Sequence, residues 1–163
     1  MEEIHERRNL HHRGIVLKLV AFEVAVESAL TRVLVLDPHF DEVGLNVLGP
    51  ALSRSQALDV RLLTSRGDID DQNRERWRKT LVRYLNLNRS RPGGVEVRWS
   101  TKLDKHSFPF LHDRFSIVDD GLWHFGSTVG GGYSGLTAAS GPWSASDTRA
   151  VEFFEECWSV CNA

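Results

Sequence analysis

The stretch Leu111-His112-Asp113-Arg114-Phe115-Ser116-Ile117-Val118-Asp119-Asp120-Gly121-Leu122-Trp123-His124-Phe125-Gly126-Ser127 reads as two short β-strands joined by a tight turn. Phe115 and Ile117 on one side, and Leu122, Trp123 and Phe125 on the other, flank Asp119-Asp120-Gly121. Asp and Gly tolerate positive φ, so this triplet is strong hairpin-turn chemistry. Strand side chains alternate between faces, which puts His112 and Arg114 on the same side of the first strand. Two groups suited to a phosphate therefore stand together.

Working outward, Thr31 to Leu36 (TRVLVL) is a near-continuous β-branched and leucine run, as in a strand buried on both faces. A helix precedes it over Ile15 to Leu30, behind a polar segment at residues 1–13. Asp41 caps a second helix through Val43, Leu45, Leu48 and Leu52, which Gly49-Pro50 is expected to kink or divide. Asp59 to Thr64 is the next strand. Asp68 or Asp70 then opens a helix through Trp77, Leu81, Tyr84 and Leu85, ended by a loop from Asn86 to Gly94. Val95 to Trp99 alternates as a third strand, and a closing helix runs from Asp147 through Phe154 and Trp158. This alternation of helices and strands predicts one layered αβα domain over residues 1–163, with a mixed, largely parallel sheet flanked by helices.

The spacing His112-x-Arg114-x4-Asp119-x6-Gly126-Ser127 resembles the His-x-Lys-x4-Asp-x6-Gly-Ser signature of the phospholipase D superfamily, with arginine at the lysine position. A weaker point of resemblance is Asp37-Pro38-His39-Phe40, at the end of a strand where the superfamily commonly has a similar turn. The resemblance implies a phospholipase D-like fold and metal-independent phosphodiester chemistry through a phosphohistidine. Its catalytic residues would be His112, Arg114, Asp119 and Ser127, with Arg114, Gly126, Ser127 and His39 holding the phosphate. The family brings two motif copies face to face. This chain has one, so an active enzyme would be a homodimer that contributes His112 twice. The alternative implied is a non-catalytic domain that keeps the pocket and binds nucleic acid or phospholipid headgroups, alone or within a larger assembly.

Charge narrows the polymer. Between Arg74 and Arg98 stand eight basic residues against two acidic ones, in a chain of net charge −2. A polyanion surface must then be local, and Arg74, Arg78, Lys79 and Arg83 are its candidates, with nucleic acid as the expected partner. Lipid is the weaker expectation because no apolar surface helix is apparent. The Gly- and Ser-rich stretch from Thr128 to Ser146 is expected to be a loop over the site, offering Tyr133 and Trp143 for stacking. Cys157 and Cys161 read as buried structural thiols, and His5, His11 and His12 lack the further ligands of a metal site. No metal or cofactor is expected. Without a long apolar run or a leader-like start, a cytoplasmic setting is expected.

Overall fold

The computed structural model describes residues 20–65, 70–104, 106–108, 111, 114–126, 129 and 139–161. Its elements are α1 (residues 20–28), β1 (Arg32–Leu36), α2 (Glu42–Arg54), β2 (Asp59–Ser65), α3 (Asp71–Ser90), β3 (Glu96–Ser100), β4 (Arg114–Val118), β5 (Gly121–Phe125), β6 (Ala139–Ser144) and α4 (Ala150–Val160). The six strands form one sheet in the order β3-β2-β1-β4-β5-β6. The β1, β2 and β3 side is parallel, and β4, β5 and β6 continue it antiparallel. This is a mixed α/β architecture of the layered kind expected, with a helical layer on each face.

Alternation along the strands decides which layer each residue meets. Val33 and Val35 of β1, Val60 and Leu62 of β2, and Trp123 and Phe125 of β5 face α1 and α2. Phe22 of α1 wedges between the last two rings, with centroids 5.6 Å from Trp123 and 4.8 Å from Phe125. Leu34, Leu36, Leu63, Phe115 and Ile117 face the other way, onto Phe154, Cys157, Trp158 and Cys161 of α4. Both cysteines are buried free thiols there, and burial pushes the Cys157 thiol up to about 12.

Helix starts follow the expected chemistry. The Asp41 carboxylate accepts from the Val43 and Gly44 N–H groups, and that of Asp70 from Asn73. Three expectations are corrected. α2 runs unbroken through Pro50, which is exposed, so the carbonyl left without an N–H faces solvent at exposed Asn46. α3 continues to Ser90, because Asn88 does not break it: its side chain reaches forward to the Val95 backbone at 2.8 Å. Residues 139–144, expected in a loop, form edge strand β6 on β5.

β6 carries a register irregularity opposite Leu122 to His124, where Gly141 and Pro142 sit. Gly141 has φ of +123°, and a Cβ there would lie 2.5 Å from the Leu122 carbonyl oxygen. Only glycine fits that approach. No helix among the described residues is long and apolar enough to cross a membrane.

Candidate nucleic-acid interface

An open cleft of about 510 Å3 lies where β1, β2 and β3 end and β4 begins. Open α/β sheets place their ligands at the carboxyl ends of parallel strands. Pro38, His39 and Phe40 from the turn after β1 form one wall, and Asn73, Arg76, Trp77 and Thr80 of α3 form another. Trp99 of β3 and Arg114 of β4 close it, with Leu103, Asp104 and Leu111.

Arg114 is held by an acid the motif does not contain. Asp37, fully buried at the end of β1, has Oδ1 3.6 Å from Arg114 Nε. The same carboxylate accepts the His39 N–H at 2.8 Å and the Val129 N–H at 2.9 Å. Burial pushes its carboxyl above the usual carboxylate range, against those two N–H groups and the Arg114 guanidinium. Asp37 thus fixes one edge of the cleft and sets Arg114 within it. At the opposite wall Arg76 Nη2 donates to Asp41 Oδ2 at 2.7 Å.

The expected site residues divide accordingly. His39 and Arg114 both line the cleft, and His39 is exposed. His112, Ser127 and Tyr133 lie outside the described residues, as do the histidines of residues 1–13. Gly126 is an exposed bend just beyond Phe125, which pairs with Arg114. Asp119 does not join them. It occupies the far end of β4, at φ +53°, and its carboxylate accepts from Thr31 Oγ1 at 2.7 Å and from the N–H groups of Leu30, Thr31 and Arg32. It therefore ties the hairpin turn to the junction between α1 and β1. Its partial burial works against ionisation, but the Thr31 hydroxyl and the three N–H groups outweigh that and hold the carboxyl below its ordinary value. His124 pairs with Phe115 and so projects from the sheet face opposite Arg114.

The basic segment does not act as one patch. Arg91 is buried against the Ala57 carbonyl oxygen, and Arg98 lies over the Trp158 ring at 4.0 Å on the α4 side of the sheet. What remains is a set of exposed cations on α3, Arg74 and Arg78 on one flank of the helix and Lys79 and Arg83 on the other. Arg78 is engaged by Glu75 through two hydrogen bonds of 2.9 and 2.7 Å, and Arg74 lies 3.8 Å from Asp71. Lys79 and Arg83 have no ion pair among the described residues. Arg76, Trp77 and Trp99 were not singled out as site residues from the sequence. A signal for the two indoles existed, in their positions on the inward side of α3 and at the end of β3.

Fold and cleft together define an α/β sheet domain with an arginine-bearing cleft beside a basic helix. No family model matches the chain, and no curated protein matches it. Among solved structures it is similar to TrmBL2, an archaeal chromatin protein described as showing a novel mode of DNA binding. The two share 14% identity with a TM-score of 0.54, over 99% of this chain and 64% of that one. At that identity the likeness speaks for the fold alone, and this chain spans less than two thirds of the other.

These findings overturn the resemblance to the phospholipase D superfamily: no family model of any kind matches, and a solved structure that aligns along the chain is that of a chromatin protein. The phosphodiesterase reading falls with it. So does the reason for a homodimer, which was needed only to bring two imidazoles together. The motif misled because part of its spacing is what this hairpin itself requires. Two five-residue strands around a two-residue turn put Asp119 where an acid at positive φ is wanted, whatever stands at the other end of β4.

Proposed function

We propose that this chain is a nucleic-acid-binding domain that contacts the phosphate backbone with the exposed cations of α3. The observation that carries the reading is the charge of that helix: six basic residues against two acidic ones between Asp71 and Ser90, in a chain that is net negative. Lys79 and Arg83, without ion pairs among the described residues, are the cations best placed to replace counterions on a phosphate chain. Arg74 and Arg78 would exchange their intrahelical carboxylates for phosphates at low net cost, since exposed pairs contribute little. His39 and Arg114, at the neighbouring cleft, extend the cationic track beyond the helix, with Gly126 near it. The fold shared with a DNA-binding chromatin protein supports the same reading.

The test is fluorescence anisotropy of a labelled DNA duplex titrated with protein at several potassium chloride concentrations. Affinity should fall linearly with salt on logarithmic axes. The double variant Lys79→Glu/Arg83→Glu should bind about tenfold or more weakly, with a salt slope shallower by about two contacts. Both side chains are exposed, so its melting temperature should stay close to that of the unaltered chain. Duplex binding that is indifferent to the double substitution, or undetectable at low salt, would reject the reading.

A further inference from the structure

We infer that the cleft beside α3 is a pocket for one unstacked nucleotide, so that the domain engages single-stranded or frayed nucleic acid and free mononucleotides in a way that it cannot engage intact duplex. This rests on the nucleic-acid reading above and deepens it.

The cleft offers the two things a single nucleotide presents and a duplex hides. The first is an aromatic surface. Trp77 and Trp99 meet inside it with ring centroids 5.4 Å apart and planes inclined at 59°, and Tyr84 backs Trp99 edge-on at 5.8 Å. Both indoles are only partly buried although they are large apolar groups. A base that leaves its stack has a free face to lay on an indole. Bases inside a duplex expose edges, not faces.

The second is a place for one phosphate. Arg76 and Arg114 reach the cleft from opposite walls, and His39 stands at the mouth. Both arginines are steered by carboxylates: Arg114 by the fully buried Asp37, behind the cleft, and Arg76 by Asp41, which lines the cleft and also caps α2. The remaining acid of the lining, Asp104, accepts the N–H groups of His106 and Ser107 at 2.9 and 2.8 Å. Each acid at or behind the cleft thus already has donors, and the guanidinium N–H groups directed away from them are left to an incoming oxyanion. The volume of about 510 Å3 matches pockets that enclose one small ligand.

Geometry assigns two roles to α3. Its inward side, with Asn73, Arg76, Trp77 and Thr80, lines the cleft, while Arg74, Arg78 and Lys79 look outward. A strand running along the outer cations can therefore turn one nucleotide over the rim.

The experiment uses the full chain with a fluorescein-labelled single strand of thymidines, a labelled duplex, and dAMP and adenosine as competitors. The expected result is that dAMP quenches tryptophan fluorescence and displaces the single strand, whereas adenosine, lacking the phosphate, does so much less. Trp99→Ala should weaken single-strand binding about tenfold, in keeping with the stacking contribution of one base, and leave duplex binding within about twofold. Arg76→Gln, on a half-exposed side chain whose ion pair among the described residues is with Asp41, should weaken dAMP displacement without altering the melting temperature. It decides the matter if Trp99→Ala melts early. The inference is overturned if dAMP neither quenches nor displaces, or if Arg76→Gln and a folded Trp99→Ala behave like the unaltered chain, while Lys79→Glu/Arg83→Glu still weakens duplex binding. In that case the nucleic-acid reading stands without the pocket. Absence of binding to either labelled DNA removes both.

Discussion

Replacing Phe154 by alanine is expected to lower the unfolding free energy by about 3–5 kcal/mol, the usual loss for a fully buried phenylalanine. The environment of this ring explains why the effect should be large. One sheet face is covered by α1 and α2 with α3 beside them, whereas the other is covered by α4, whose Phe154 is fully buried. The ring stacks on Trp158 with centroids 5.7 Å apart, and the Arg61 guanidinium lies 5.3 Å from its centre. Arg61 is in turn gripped by Asp59 and Glu155, and those contacts hold its guanidinium still more firmly in the charged form. Alanine would open a cavity beneath a fixed cation and strip it of a ring face. For a domain of this length the melting temperature should fall by about 10 °C. The neighbouring Phe153→Ala, at a residue 39% exposed, supplies the comparison. Equal shifts for the two variants would mean that α4 does not carry the packing described.

The second large effect is expected at Asp119. Asp119→Ala should destabilise the chain by about 2–4 kcal/mol, because charge-assisted hydrogen bonds are lost together and alanine tolerates positive φ poorly. Asp119→Asn keeps the conformational tolerance and should lose less. The pH dependence separates the two contributions. A carboxyl held below its ordinary value in the folded chain contributes its stability above about pH 4, the unfolded value, and loses it as pH falls through the folded one. The difference between the unaltered chain and Asp119→Asn, measured by urea unfolding, should thus be full at neutral pH and shrink in acid. A difference that stays constant down to pH 3 would show that the charge plays no part.

These two sites also show what could be read without coordinates. The hairpin was legible because its turn chemistry is local: Asp119 and Gly121 are recognisable from their neighbours alone. The same holds for β1, whose apolar run has no polar face, and for Asp41 and Asp70, whose caps act within three residues. What failed was inference at a distance. Pro50 was weighed as a helix breaker without knowing that its side of α2 faces water, where a lost hydrogen bond costs little. The Gly- and Ser-rich run concealed β6 because its pairing depends on β5 and on a glycine at a backbone angle that no pattern announces.

The cleft was half legible for the same reason. Its Arg114 and His39 could be picked out from a spacing, but the acid that steers Arg114 stands at the end of another strand, and the two indoles belong to α3 and β3. Asp119 matched the spacing and served a different end of the strand. A motif reports which residues lie near one another along the chain, whereas a cleft at the end of a sheet is assembled by topology.

The irregular edge at β6 has a consequence for how copies of this chain meet in a crowded solution. Proline brings no N–H to the outer rim, and the extra residue beside it throws the rim out of step with any straight partner. A newcomer trying to lengthen the sheet from that flank would find neither a continuous row of donors nor a flat ribbon to copy. Fibre-like accretion is thereby discouraged on the flank that follows the hairpin, and copies of the chain can crowd together without their own backbones becoming the glue.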